Sequence, residues 1–148
     1  MTFRLTLTTI AALTLATSAY AEQGKPGAHF IENWDLDGDG QVTLSEAQEK
    51  RGDIFFMFDG DENGLLESSE YDLFDETRRA DMDANAGGAK KGPMRGVEKA
   101  MMREFNDVNG DGKVSKDEFV TRAADWFKMM DRNGDGVVTT DDFMKMGG

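Results

Sequence analysis

An acidic, glycine-bearing segment recurs along this chain at multiples of twenty-four residues, and no other feature limits the possible folds as much. Asp35-Leu36-Asp37-Gly38-Asp39-Gly40 opens the first copy and Asp59-Gly60-Asp61-Glu62-Asn63-Gly64 the second. Asp107-Val108-Asn109-Gly110-Asp111-Gly112 opens the third and Asp131-Arg132-Asn133-Gly134-Asp135-Gly136 the fourth. The starts at 35, 59, 107 and 131 leave one repeat missing at 83. There Asp83, Asn85 and Gly88 stand at positions one, three and six, while Gly87 and Met94 stand where ligands belong at five and twelve. Residues 83–94 therefore read as a decayed copy that binds no metal, since the carboxylates are gone. A fixed period of this length implies one supersecondary unit used repeatedly.

The four intact copies have the form Asp-x-Asp/Asn-x-Asp/Asn-Gly followed by an acid at position twelve, and that pattern has a mechanism. A calcium-sized ion takes six to eight hard oxygens at about 2.3–2.6 Å. Side chains at positions one, three and five converge as the loop curls, and glycine at six permits the turn. Position seven offers a backbone carbonyl, nine often a water, and twelve a bidentate carboxylate from the following helix. The first loop supplies Asp35, Asp37, Asp39, the Gln41 carbonyl, Thr43 and Glu46. The second supplies Asp59, Asp61, Asn63, the Leu65 carbonyl, Glu67 and Glu70. The third supplies Asp107, Asn109, Asp111, the Lys113 carbonyl, Ser115 and Glu118. The fourth supplies Asp131, Asn133, Asp135, the Val137 carbonyl, Thr139 and Asp142. The sites number up to four, with four carboxylates each in the first two loops and three each in the others. Asp142 is one methylene shorter than Glu, so the fourth site is expected to be weakest for Ca2+ and most tolerant of Mg2+, which accepts fewer ligands.

Between the loops, residues 47–58, 71–82, 95–106 and 119–130 carry apolar residues at helical spacing. The stripes are Ile54, Phe55 and Phe58; Leu73 and Phe74; Val97, Met101, Met102 and Phe105; and Phe119, Ala123, Trp126, Phe127 and Met130. Helices of twelve residues, about 18 Å long, are marginal alone and must pack together. Trp34 and Trp126 are expected in the core, His29 at the surface, and Lys90 and Lys91 in a solvated turn. The C-terminal methionines Met101, Met102, Met129, Met130, Met144 and Met146 suit either an adaptable groove or core filling, and gap-filling is the commoner use.

Composition removes several function classes. The chain has 148 residues, no cysteine and one histidine, which excludes a disulfide scaffold, thiolate zinc and a multi-histidine metal site. A formal charge of −12 argues against nucleic acid as a partner and favours cations or a basic, amphipathic protein segment. No nucleophile–base constellation is present, so an enzyme is not expected. Residues 1–21 read as a secretory signal: Arg4 gives the positive start, Leu5 to Ala16 the apolar stretch, and Ala19-Tyr20-Ala21 the cleavage triplet. The mature chain, 22–148, is then expected to be periplasmic or secreted, with no membrane span.

On these residues the chain resembles the EF-hand superfamily. The resemblance implies an all-α fold of helix–loop–helix repeats, with minimal β-bridges between loops, and calcium binding at the positions named. The compact spacing is similar to that of lanmodulin-family proteins, which implies lanthanide binding as an alternative. This chain departs from that family at position two (Leu36, Gly60, Val108, Arg132 in place of proline) and at position nine (Thr43, Glu67, Ser115, Thr139 in place of aspartate). The remaining readings are an exported calcium sensor or buffer, and a structural or interaction subunit held by calcium.

Twenty-four-residue spacing forces one helix to leave one loop and lead into the next. Loops adjacent in sequence then lie at opposite ends of a shared helix and cannot pair. The apolar residues at position eight, Val42, Leu66, Val114 and Val138, are expected to pair the second loop with the third and the first with the fourth.

Overall fold

The computed structural model describes residues 25–85 and 94–144. The signal segment 1–21, most of the decayed copy, Lys90, Lys91 and Met146 lie outside the described residues, as do the side chains of Met94 and Val97.

The described elements are helical apart from one small sheet. Helix α1 (Ala28–Trp34) precedes the first loop, and α2 (Leu44–Phe58) joins it to the second. Strand β1 (Leu65–Leu66) and α3 (Ser68–Asn85) follow, then α4 (Met94–Ala100) and α5 (Arg103–Asn106) before the third loop. Strand β2 (Val114–Ser115), α6 (Lys116–Thr121) and α7 (Ala123–Met130) lead to the fourth loop, which closes on a 3-10 turn, Thr140–Phe143. This is the all-α helix–loop–helix architecture the repeat implied.

Loop pairing follows the expected register. Strands β1 and β2 are antiparallel, with Leu65 opposite Ser115 and Leu66 opposite Val114. Val42 and Val138 form a single antiparallel bridge, each N–H donating to the other's carbonyl at 2.8 and 2.9 Å. All four position-eight side chains are fully buried, so each pair of loops is joined by an apolar contact as well as by backbone hydrogen bonds.

The helices begin where side chains can satisfy their free N–H groups. Thr43 caps α2 and Ser115 caps α6, each in a reciprocal capping box with Glu46 or Glu118 three residues on. Ala47, Arg51, Phe55 and Phe58 form the buried face of α2, which packs against α6 and α7. Trp126 on α7 is fully buried, its ring centroid 4.5 Å from that of Trp34 and 5.6 Å from that of Phe30. A second aromatic group joins Phe58, Tyr71, Phe74 and Phe119 through near-perpendicular contacts of 5.1–5.8 Å around Phe74.

Four details depart from the sequence reading. Residues 95–106 do not form one helix: Met102 adopts extended backbone (φ −71°, ψ 151°) between α4 and α5. The Tyr71 hydroxyl donates to the Met101 carbonyl at 2.7 Å, and Asn106 Nδ2 donates to the Ala100 and Met102 carbonyls at 3.2 and 3.0 Å. Side chains thus replace the helical partners of the Ala100 and Met101 carbonyls, while the Met102 carbonyl also keeps the Asn106 N–H at 3.3 Å. Residues 119–130 are likewise split at Arg122. Here Arg51 Nε donates to the Phe119 carbonyl at 2.6 Å, the acceptor that residue 123 would use in an unbroken helix. Leu73 is exposed, because Tyr71 and Phe74, three residues apart, share the buried face of α3. Helix α3 also runs on through Asn85, so the first three positions of the decayed copy are helical. The methionines divide: Met101 and Met130 are buried, whereas Met102, Met129 and Met144 are exposed.

Candidate metal centre

The four loops repeat one hydrogen-bond pattern, and it brings the carboxylates inward. In the first loop, Asp35 accepts from the N–H groups of Gly38, Asp39 and Gly40 at 2.7, 3.3 and 2.7 Å. Asp37 accepts from Asp39 N–H at 3.1 Å, and Asp39 from Gln41 N–H at 2.8 Å. Glu46 reaches back across the loop, accepting from Leu36 and Asp37 N–H with Oε1 and from Thr43 N–H with Oε2. Asp107, Asn109, Asp111 and Glu118 repeat these contacts in the third loop. Asp131, Asn133, Asp135 and Asp142 repeat them in the fourth. In the second, Asp59, Asp61, Asn63 and Glu70 do the same except at position four, where Glu62 N–H donates to the Asp59 carbonyl at 3.4 Å. The loop backbone thus holds the ligand oxygens in place through its own N–H groups.

Position six must be glycine for conformational reasons. Gly40, Gly64, Gly112 and Gly136 have φ of +85°, +80°, +81° and +90°, while a Cβ there would meet nothing within 4 Å. The dihedral, not space, demands glycine. Position four is also left-handed, and glycine fills it in three loops; in the second it is Glu62 at φ +57°. Such a conformation costs an ordinary residue roughly 1–2 kcal/mol, and asparagine less. Glu62→Asn is therefore expected to stabilise the metal-free protein by about 0.5–1 kcal/mol, read as a higher urea midpoint in chelator.

Three carboxylates converge in each of the first two loops. Carboxylate oxygens of Asp35, Asp37 and Asp39 lie within 4.8 Å of one another, and so do those of Asp59, Asp61 and Glu70. Among the described residues, these two loops hold the acidic groups that come this close. The third and fourth have an amide, Asn109 or Asn133, at position three. Clusters of hard, negatively charged oxygens fit a hard cation and no softer group.

Position nine behaves differently from the cage. Thr43, Ser115 and Thr139 act as helix caps. Glu67 Oε1 is instead paired with Lys113 Nζ at 2.6 Å, across the β1–β2 ladder. That lysine, at position seven of the third loop, brings a positive charge to the rim of the second. The carbonyls of Gln41, Leu65, Lys113 and Val137 belong to residues beside the inter-loop bridges. Asp142 is 2 % exposed and reaches Arg132 and Thr139 N–H, both at 2.9 Å, despite its shorter side chain. The 3-10 turn and Arg132 Nη1, which donates to the Asp142 and Met144 carbonyls at 2.9 and 3.2 Å, hold this end of the fourth loop. His29, half-exposed on α1, has Nε2 3.3 Å from Asp81 Oδ1 and stands apart from the loops.

Electrostatics separate the ligand carboxylates. Burial pushes Glu46 and Glu118 up, but hydrogen bonds from the capping residues and from loop N–H groups outweigh it, leaving both below the ordinary glutamate value of 4.5. For Asp37 the hydrogen bond from Asp39 N–H pulls down; desolvation and the charges of Asp39, Glu46 and Asp35 win, raising it above 3.8. The signs oppose. Glu46 and Glu118 contribute stability that is present above about pH 4.5 and lost as pH falls through their folded values. Asp37 contributes stability below its unfolded value that is lost as pH rises through its folded one. Denaturant midpoints of the chelated protein are expected to fall on acidification below about pH 4.5, with a shallower slope in the Glu46→Gln, Glu118→Gln variant.

No curated protein matches the chain. Residues 104–121 and 123–146 match the family model described as EF hand, and these segments contain the third and fourth loops. With the acidic clusters of the first and second loops, that match supports an EF-hand calcium-binding protein.

Proposed function

We propose that this is an exported calcium-binding protein, acting as a sensor or buffer, whose compact fold is coupled to metal capture. The observation that carries the reading is the convergence of Asp59, Asp61 and Glu70 within 4.8 Å, in a loop pattern that all four segments share. Asp35, Asp37, Asp39 and Glu46 would hold an ion in the first loop; the other three loops would use the corresponding side chains. The ion supplies charge neutralisation: oxygens otherwise close enough to repel become mutually compatible around it. The N-terminal segment 1–21 supports export to a periplasm or exterior.

Calcium calorimetry on the secreted chain tests this. Up to four bound equivalents are expected, and fewer than two would end the proposal. Asp142→Glu is expected to tighten the fourth site by about tenfold, a free-energy gain near 1.4 kcal/mol; an unchanged affinity there would refute the chain-length argument. A hydrophobic dye that brightens on adding calcium would mark a sensor, and one that does not would mark a buffer or a structural subunit.

A further inference from the structure

Arg51 stands in the middle of α2 with no exposed surface. Its Nε donates to the Phe119 carbonyl, Nη1 lies 3.3 Å from Met101 Sδ, and Nη2 donates to Asn106 Oδ1. Its guanidinium carbon sits 4.2 Å from the centroid of the Phe119 ring. Asn106 Nδ2 in turn donates to the Tyr71 hydroxyl at 2.9 Å, which donates to the Met101 carbonyl. None of these partners is a carboxylate. Burial pulls the arginine down to about 10, still protonated at neutral pH.

A buried cation with no counter-ion among the described residues is a poor means of adding stability, because its desolvation is offset only by neutral hydrogen bonds and ring contact. What the network does possess is position. Tyr71 follows Glu70, Asn106 precedes Asp107, and Phe119 follows Glu118. Each of these three is one residue from a ligand of the paired second or third loop. The same contacts produce both helix breaks, between α4 and α5 and between α6 and α7, and so set how the third loop is approached and left.

We propose that Arg51 is a positioning residue for the metal loops: through Asn106 and Tyr71 it locks the exit helix of the second loop to both helices of the third, so that an ion in one loop raises affinity in the other. This rests on the calcium-binding reading above. The strand pair β1–β2 offers a competing route, which the test must separate.

The Gly64 and Gly112 amides donate to Asp59 and Asp107 at 2.9 Å, so their nuclear magnetic resonance shifts report the second and third loops individually during a calcium titration. Disabling the second loop by Glu70→Gln is expected to weaken calcium binding at the third by about tenfold. In a Tyr71→Phe background, which loses one hydroxyl and keeps the strands, the same substitution is expected to weaken it less than about threefold. Arg51→Met is expected to lose the coupling, and coupling retained in it would overturn the proposal. Coupling undiminished in the Tyr71→Phe background would overturn the proposal and assign the effect to the strands. A wild-type coupling factor of one would also overturn it. Should neither glycine amide respond to calcium in the wild type, the functional reading itself fails, an outcome distinct from both.

Discussion

Calcium added to the chelated protein is expected to raise its melting temperature by about 20 °C, and to convert a broad transition into a sharp one. The reasoning is electrostatic first. The formal charge is −12, and much of it is folded into the loops. Crowding of Asp37 by Asp35, Asp39 and Glu46 illustrates the cost, since their charges raise it above its ordinary value. The +8 of four divalent ions would bring the formal charge to −4. An ion that binds the folded state alone stabilises it by about 2.7 kcal/mol at a hundredfold excess over its dissociation constant. Several sites filled together therefore contribute on the order of the whole stability of a domain this size. Differential scanning calorimetry in chelator and in millimolar calcium measures it; coincident transitions would remove folding on metal from the account.

Trp126→Ala should be the most damaging single substitution in the core, costing about 3–5 kcal/mol. Trp126 is fully buried and joins α7 to α1 through Trp34 and Phe30. A loss of that size leaves little of a typical stability of 5–15 kcal/mol. The variant is expected to be largely unfolded in chelator at 25 °C and to refold as calcium is raised, with a midpoint shifted to higher calcium by far-ultraviolet circular dichroism. Trp126→Phe should be much milder. The indole Nε1 is buried with no hydrogen-bond partner among the described residues, so phenylalanine removes an unsatisfied donor along with some packing. Equal losses in the two variants would show that ring burial does not hold α1 in place.

The loops and their partners were readable from residue order because both obey local rules. Glycine at position six is demanded by a backbone angle, the carboxylates by a hard cation, and the position-eight residues by a pairing that twenty-four-residue spacing confines to alternate loops. Val42 meeting Val138, and Leu66 meeting Val114, follow from that spacing. Glu67 was read as a cage residue at position nine; its pairing with Lys113 depends on a register between segments 46 residues apart, which no local pattern reveals.

The same division runs through the helices. Apolar periodicity alone placed the helical segments and picked out Phe55, Phe58, Phe119, Trp126 and Met130 as core. Only the assembled molecule decided where those segments break. Residues 95–106 and 119–130 are helix-compatible throughout, and nothing local stops them at Met101 or Arg122. Arg51, remote in sequence, takes the Phe119 carbonyl, while Tyr71 takes that of Met101 and Asn106 that of Ala100. A helix ends where another donor claims its carbonyls, and here two of those donors, Arg51 and Tyr71, arrive by tertiary packing around a buried charge.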